Sequence, residues 1–145
     1  MPTIPYIHFQ GHCAEALAFY ADVFGGTDLQ LMRYADAPDM PEAMQDPTRV
    51  IHGQVTLGSG TLMASDYPPG MAGQPQSAVS IMQGVVSLAA GTEVFARLSD
   101  VGTVTQAFGP TFFSPGFGMV TDRFGTNWMI SVMPNDSEEE GESVP

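Results

Sequence analysis

The chain has no lysine and one cysteine. Its 145 residues carry four basic side chains, all arginine (Arg33, Arg49, Arg97, Arg123), against 16 Asp and Glu, a formal net charge of -12. Each shortage removes a class of chemistry. Without lysine there is neither a Schiff-base amine nor a phosphate-binding lysine of the Walker kind. With Cys13 alone there is no internal disulfide and no zinc site that draws two thiolates from one chain. So few cations cannot build the basic footprint that nucleic acid requires, and such acidity is repelled by anionic membranes. Apolar runs stop after a few residues, far short of the roughly 20 that a membrane-spanning helix needs. The opening MPTIPYIHFQ lacks the basic cluster and apolar stretch of a secretory leader, so a cytoplasmic chain is expected.

Core material, by contrast, is ample. Hydrophobic residues make up 43% of the chain and charged ones 14%, which predicts a folded domain or two small halves of one. Five of the acids (Asp136, Glu138, Glu139, Glu140, Glu142) fall in PNDSEEEGESVP, and residues 135–145 read as a solvated, disordered tail.

Periodicity divides the rest. PTIPYIHFQ alternates, with Ile7 and Phe9 on one side and Tyr6, His8 and Gln10 on the other, a half-buried strand. HCAEALAFYADVFGG has Ala16, Phe19, Tyr20 and Val23 at helical spacing and stops at Gly25-Gly26. DLQLMRYAD is a second strand and APDMPEAMQDPT a proline-rich loop. A hairpin follows, with arms Val50 to Leu57 and Thr61 to Asp66 about a Gly58-Ser59-Gly60 turn. After YPPGMAGQPQ the order repeats: strand SAVSIMQ, helix SLAAGTEVFARLSDVG with Val94, Phe95, Leu98 and Val101 inward, strand TVTQAF, and a hairpin turning at Asp122 to Gly125. The expected divisions are a first module over 1–67, a Pro/Gly linker over 68–76 and a second module over 77–134. Each reads strand–helix–strand–strand–strand, a duplication of order with little residue identity.

The stretches HFQGHCAEALAFYADVFGG, MRYADAP, VIHGQVTLGSGTLMASDYPP and FGMVTDRFGTNWMISV together resemble the PhnB-like branch of the vicinal-oxygen-chelate superfamily (glyoxalase I, bleomycin-resistance proteins, extradiol dioxygenases) over roughly residues 4–133. The resemblance implies an α+β fold, two βαβββ modules forming curved mixed sheets around a cleft with helices outside, and a homodimer. In the superfamily's enzymes a divalent metal lies in the cleft, held by His or Gln and Glu on the first and fourth strands of each half. Carried onto this sequence, those positions fall on Pro5 or Ile4, Met63, Ser77 or Ala78, and Met129. None is a ligand for a hard or borderline cation, because thioethers prefer soft metals. The expectation is therefore no metal at those sites and no cofactor. The branch often carries a methyltransferase description, yet the chain lacks the Gly-rich strand-to-helix turn that holds S-adenosylmethionine.

Candidate site residues follow from phase. His8 alternates with Ile7 and Phe9, while His52, Gln54 and Thr56 alternate with Ile51, Val55 and Leu57, so all four face the cleft side. Two imidazoles on neighbouring strands could hold a metal or share a proton; the competing reading is a hydrogen-bonded, half-buried histidine in each case. Arg33 could clamp a carboxylate or phosphonate, or pair with Asp36 or Asp66. Asp66 reads as the cap of the turn before Tyr67, Asp122 as the first residue of a turn, and Trp128 as core. Cys13 starts a helix, whose dipole would lower its pKa and allow a catalytic thiol, but a small buried side chain is the favoured reading. Phe112, Phe113 and Phe117, with Met63, Met82 and Met129, suit an apolar or planar molecule or a plain core. The expected cleft is lined by His8, Arg33, His52, Gln54, Met63, Ser65, Phe112 and Met129. The leading expectation is a small-molecule ligand bound without metal by a homodimer that engages neither nucleic acid nor membrane. The alternatives are a metal-dependent lyase, isomerase or dioxygenase using His8 and His52, and, least favoured, a quinone methyltransferase.

Overall fold

The computed structural model describes residues 1–134; the acidic tail lies outside the described residues. These residues form two compact units, Met1–Ser77 and a second beginning at Ala78.

The first unit runs β1 (Tyr6–Phe9), α1 (Cys13–Phe24), β2 (Thr27–Arg33), β3 (Val50–Leu57) and β4 (Gly60–Asp66). Its sheet has the order β1-β4-β3-β2, with β1 parallel to β4 and the other pairs antiparallel. Strand alternation decides which face is buried. Ile7, Phe9, Val55, Leu57, Leu62 and Ala64 go inward, and α1 supplies Cys13, Ala16, Leu17, Tyr20 and Val23 against them. Gly53 lets α1 approach β3, since a Cβ there would sit 2.7 Å from Leu17 Cδ1. The helix ends on Gly25 in the left-handed conformation, φ 64°. The strand expected over DLQLMRYAD stops at Arg33, where Tyr34–Asp36 makes a single turn of tight helix, and a second, Glu42–Met44, lies within the proline-rich loop.

Asp66 does not cap the turn before Tyr67, as its position suggested. It is 1% exposed and its carboxylate caps α1 from across the sheet. Oδ1 accepts from Gly11 N (2.8 Å) and Cys13 N (3.0 Å), and Oδ2 from Val50 N (2.9 Å). The helix needs this, because His12 at the N-cap position makes no side-chain cap bond. A carboxylate there also meets the positive end of the helix dipole. The Asp66 carbonyl takes the Tyr34 hydroxyl at 2.9 Å. The ion pair expected between Arg33 and Asp36 or Asp66 is not formed. Arg33 Nη1 donates instead to the Thr48 carbonyl at 2.8 Å, and Arg49 Nη1 to that of Tyr67 at 2.7 Å.

The second unit runs β5 (Ile81–Val85), α2 (Leu88–Ser99), β6 (Thr103–Gly109), β7 (Phe117–Thr121) and β8 (Asn127–Val132), in the order β5-β8-β7-β6, again with the first pair parallel. The strand expected from Ser77 starts later because Ala78 sits at φ 58°, outside the extended region. Val101, expected inward, is 78% exposed, because its own φ of 60° turns the chain out of the helix. Here the helix is capped locally, Ser87 Oγ accepting from Ala90 N at 3.1 Å. Trp128 is fully buried, as its phase predicts, and donates Nε1–H to Asp122 Oδ2 at 2.9 Å. Asp122 opens the expected turn, with Gly125 N on its carbonyl at 3.0 Å. Among the described residues, no helix is long and apolar enough to cross a membrane.

Replacing Asp66 by Ala strands three N–H donors, of which those of Cys13 and Val50 are buried. The expected cost is roughly 3 kcal/mol of stability, read from urea unfolding; Asp66→Asn, which keeps one acceptor oxygen, should lose less. An unchanged urea midpoint in Asp66→Ala would contradict the capping role.

Candidate functional site

The face of the first sheet turned away from α1 carries the polar side chains. Register fixes its rows. Tyr6 pairs with Met63, Met63 with Gln54, and Gln54 with Gln30, one residue from each strand. Two positions further along β1 and β4, His8 pairs with Ser65, while on the other side of the sheet His52 pairs with Met32. His8 and His52 are thus not on neighbouring strands: β4 runs between β1 and β3.

What joins the two histidines is Tyr6. Its ring centroid lies 5.2 Å from that of His8 and 5.8 Å from that of His52, and Tyr67 stands 5.4 Å from His8 on the other side. The result is a ladder of four tilted rings, Tyr67–His8–Tyr6–His52. Hydrogen bonds fix it. The Tyr6 hydroxyl lies 3.1 Å from His52 Nδ1, and His52 Nε2 lies 3.4 Å from Gln54 Oε1. A neutral His52 that accepts from Tyr6 and donates to Gln54 satisfies both contacts. His8 Nδ1 lies 3.2 Å from Ser65 Oγ.

The second sheet has the same topology and different chemistry. Taking Met129 as the counterpart of Met63, the equivalent row reads Met82, Met129, Met119, Gln106. Ser131 stands where Ser65 does, but its strand partner is Gly84 rather than a histidine. The space a side chain would take at Gly84 is occupied by Met133, whose Cγ is 2.5 Å from an ideal Cβ.

Pro5 or Ile4, Met63, Ser77 or Ala78, and Met129 stand at the expected superfamily metal positions, and the strand partners of Met63 and Met129 are Tyr6 and Met82. A phenol and three thioethers do not fit a hard or borderline divalent cation. The relocated alternative fits no better, since both His52 nitrogens are engaged and β4 separates the histidines. Among the described residues, no group of three or more His, Cys, Asp or Glu could hold a metal ion.

The remaining expected residues are not members of the ladder. Arg33 ends β2 and ties down the loop at Thr48. Phe112 lies in the loop after β6, fully exposed, edge-on to Phe113, which is edge-on in turn to the buried Phe117. Cys13 contradicts the helix-dipole expectation. Burial, and then the Asp66 carboxylate, push its thiol from the ordinary 9.0 to about 12. The same two causes raise the Tyr34 phenol above its usual 10.0. Bonds from Thr48, and then Arg49, hold the exposed Asp46 carboxyl below its usual 3.8. Sequence reasoning passed over Tyr6 and Tyr67 as site residues. Tyr6 shares the phase of His8, but Tyr67 follows the last strand and has no phase to read.

The family model described as 3-demethylubiquinone-9 3-methyltransferase matches residues 2–131. The chain belongs to this family. Protein YjdN of Escherichia coli (strain K12) is 32% identical over 143 residues, which span 92% of this chain and 96% of that protein. The crystal structure of protein PA1353 from Pseudomonas aeruginosa superimposes with a TM-score of 0.82 at 34% identity, covering 93% of this chain and 99% of that one. The PhnB protein from Bacillus cereus shares the fold at a TM-score of 0.68 and 21% identity, covering 92% and 100%. The PhnB-like assignment and the α+β, glyoxalase/bleomycin-resistance-like fold are thereby established. The family's description implies S-adenosylmethionine, and the residues here do not fit it. The N–H groups of Gly11 and Cys13 at the β1–α1 turn are already bound to Asp66, a fixed anion facing any cofactor carboxylate, and α2 is closed by its own Ser87.

Cys13 should resist thiol reagents in the native protein at neutral pH and react fully in urea. Stability should fall as pH rises from about 9 towards about 12, because the unfolded thiol ionises first and the buried one does not. Rapid native labelling at neutral pH would contradict the burial.

Proposed function

We propose that this chain binds a small, planar, largely apolar molecule on the open face of its first sheet, without a divalent metal. The observation that carries this reading is the ring ladder Tyr67–His8–Tyr6–His52, with Met63 beside Tyr6. Exposed rings with fixed spacing offer faces and edges on which a flat molecule stacks. Tyr6 is 41% exposed although it is aromatic, and its hydroxyl is already paired, so what it presents outward is chiefly its ring. The methionine beside it is soft and adaptable, suited to irregular apolar outlines. The net charge of -12 disfavours anionic ligands. A catalytic reading gains less support, because the polar groups of His52 are spent on internal hydrogen bonds.

Isothermal titration against flat aromatic compounds tests this, with S-adenosylmethionine and divalent metal salts as further arms. Several neutral aromatics should bind, and the cofactor and the metals should not. Tyr6→Ala should weaken binding about tenfold, roughly 1.4 kcal/mol, with the urea midpoint little changed because the side chain is half exposed. Silence across the aromatic panel, or tight stoichiometric S-adenosylmethionine, would reject the proposal.

A further inference from the structure

The geometry points to His8 as the group that selects among such ligands, by donating its Nε2–H to a neutral carbonyl oxygen at the edge of the flat molecule. This rests on the binding proposed above and names its ligand class: planar aromatic ketones, quinones and lactams, which share an sp² oxygen on a flat frame.

The argument begins at Ser65, which is 7% exposed. Its hydroxyl has one hydrogen-bond partner among the described residues, His8 Nδ1 at 3.2 Å. If the imidazole donated, the serine proton would be left without an acceptor in a buried place, which is costly. The hydroxyl therefore donates, Nδ1 accepts, and a neutral ring in that state carries its proton on Nε2. Nε2 has no protein partner among the described residues, and His8 lies on the exposed side of β1. Tyr6 and Tyr67 flank the ring at 5.2 and 5.4 Å, which limits its tilt.

The Tyr6 hydroxyl is spent on His52, and His52 Nε2 is turned to Gln54. In the second unit the equivalent position is Gly84, filled by Met133, and the Ser131 hydroxyl donates to Ser114 Oγ at 3.3 Å. Of the two copies of this strand pair, one kept a donor facing outward and the other replaced it with a thioether side chain.

The test is titration of the full chain with 9-fluorenone and with fluorene, which share a flat three-ring frame and differ at the carbonyl. Fluorenone should bind about tenfold more tightly, the worth of one hydrogen bond to a well-placed oxygen. His8→Phe keeps a ring in the ladder and removes the donor. In that variant fluorenone should bind no more tightly than fluorene. Equal affinities in the unaltered chain, or a preference that survives His8→Phe, would overturn the inference while leaving planar binding intact; binding of neither would overturn both. Nitrogen-15 spectra of the unaltered protein, recorded above the usual imidazole range, give a reading that needs no variant. The proton of His8 should be on Nε2, and a proton on Nδ1 would refute the assignment.

Discussion

Asp66 holds the first unit in register. Its carboxylate binds the backbone at three separate places: the turn after β1, the first residue of α1 and the first residue of β3. Its own main chain pairs with Phe9 at the end of β1. One step inward along those same strands lie His8 and Ser65, and Tyr6 and Met63 follow. A slip of one residue between β1 and β4 would turn His8 to the core and Phe9 outward. The ring ladder is thus a consequence of a buried anion at one end of the sheet, more than of any contact among the rings themselves.

The second unit reaches the same topology without that device. Val132 pairs with Val85 where Asp66 pairs with Phe9, and α2 relies on the Ser87 hydroxyl just ahead of it. Its buried carboxylate, Asp122, is spent on the β7–β8 turn and on Trp128. Duplicated order thus coexists with divided roles: one sheet presents imidazole, phenol and amide, the other a row of thioethers.

Much of the fold could be read before any coordinates. Strict alternation placed Ile7 and Phe9 inward and His8 outward, and helical spacing placed Val94, Phe95 and Leu98 in the core. Long-range partners could not be read. Asp66 looked like a local turn residue because its three donors lie at Gly11, Cys13 and Val50, far away in the chain. The same blindness put His8 and His52 on adjacent strands, since nothing local announces that β4 inserts between β1 and β3. Strand pairing, not spacing, decides that Tyr6 and Met82 are the neighbours of Met63 and Met129. Cys13 is the small buried side chain the sequence favoured, and the expected lowering of its pKa fails because desolvation outweighs a helix dipole when the thiol is fully enclosed.

The parallel pairing of β1 with β4 also bears on how the chain is made. His8 and Ser65 are 57 positions apart, so β1 has no sheet partner until β4 has been made. Closing that loop costs entropy before any contact repays it. Until then the β1–α1 turn lacks its anion and Ile7 and Phe9 lack cover. During synthesis the N-terminal half is therefore an open template with an unsatisfied edge.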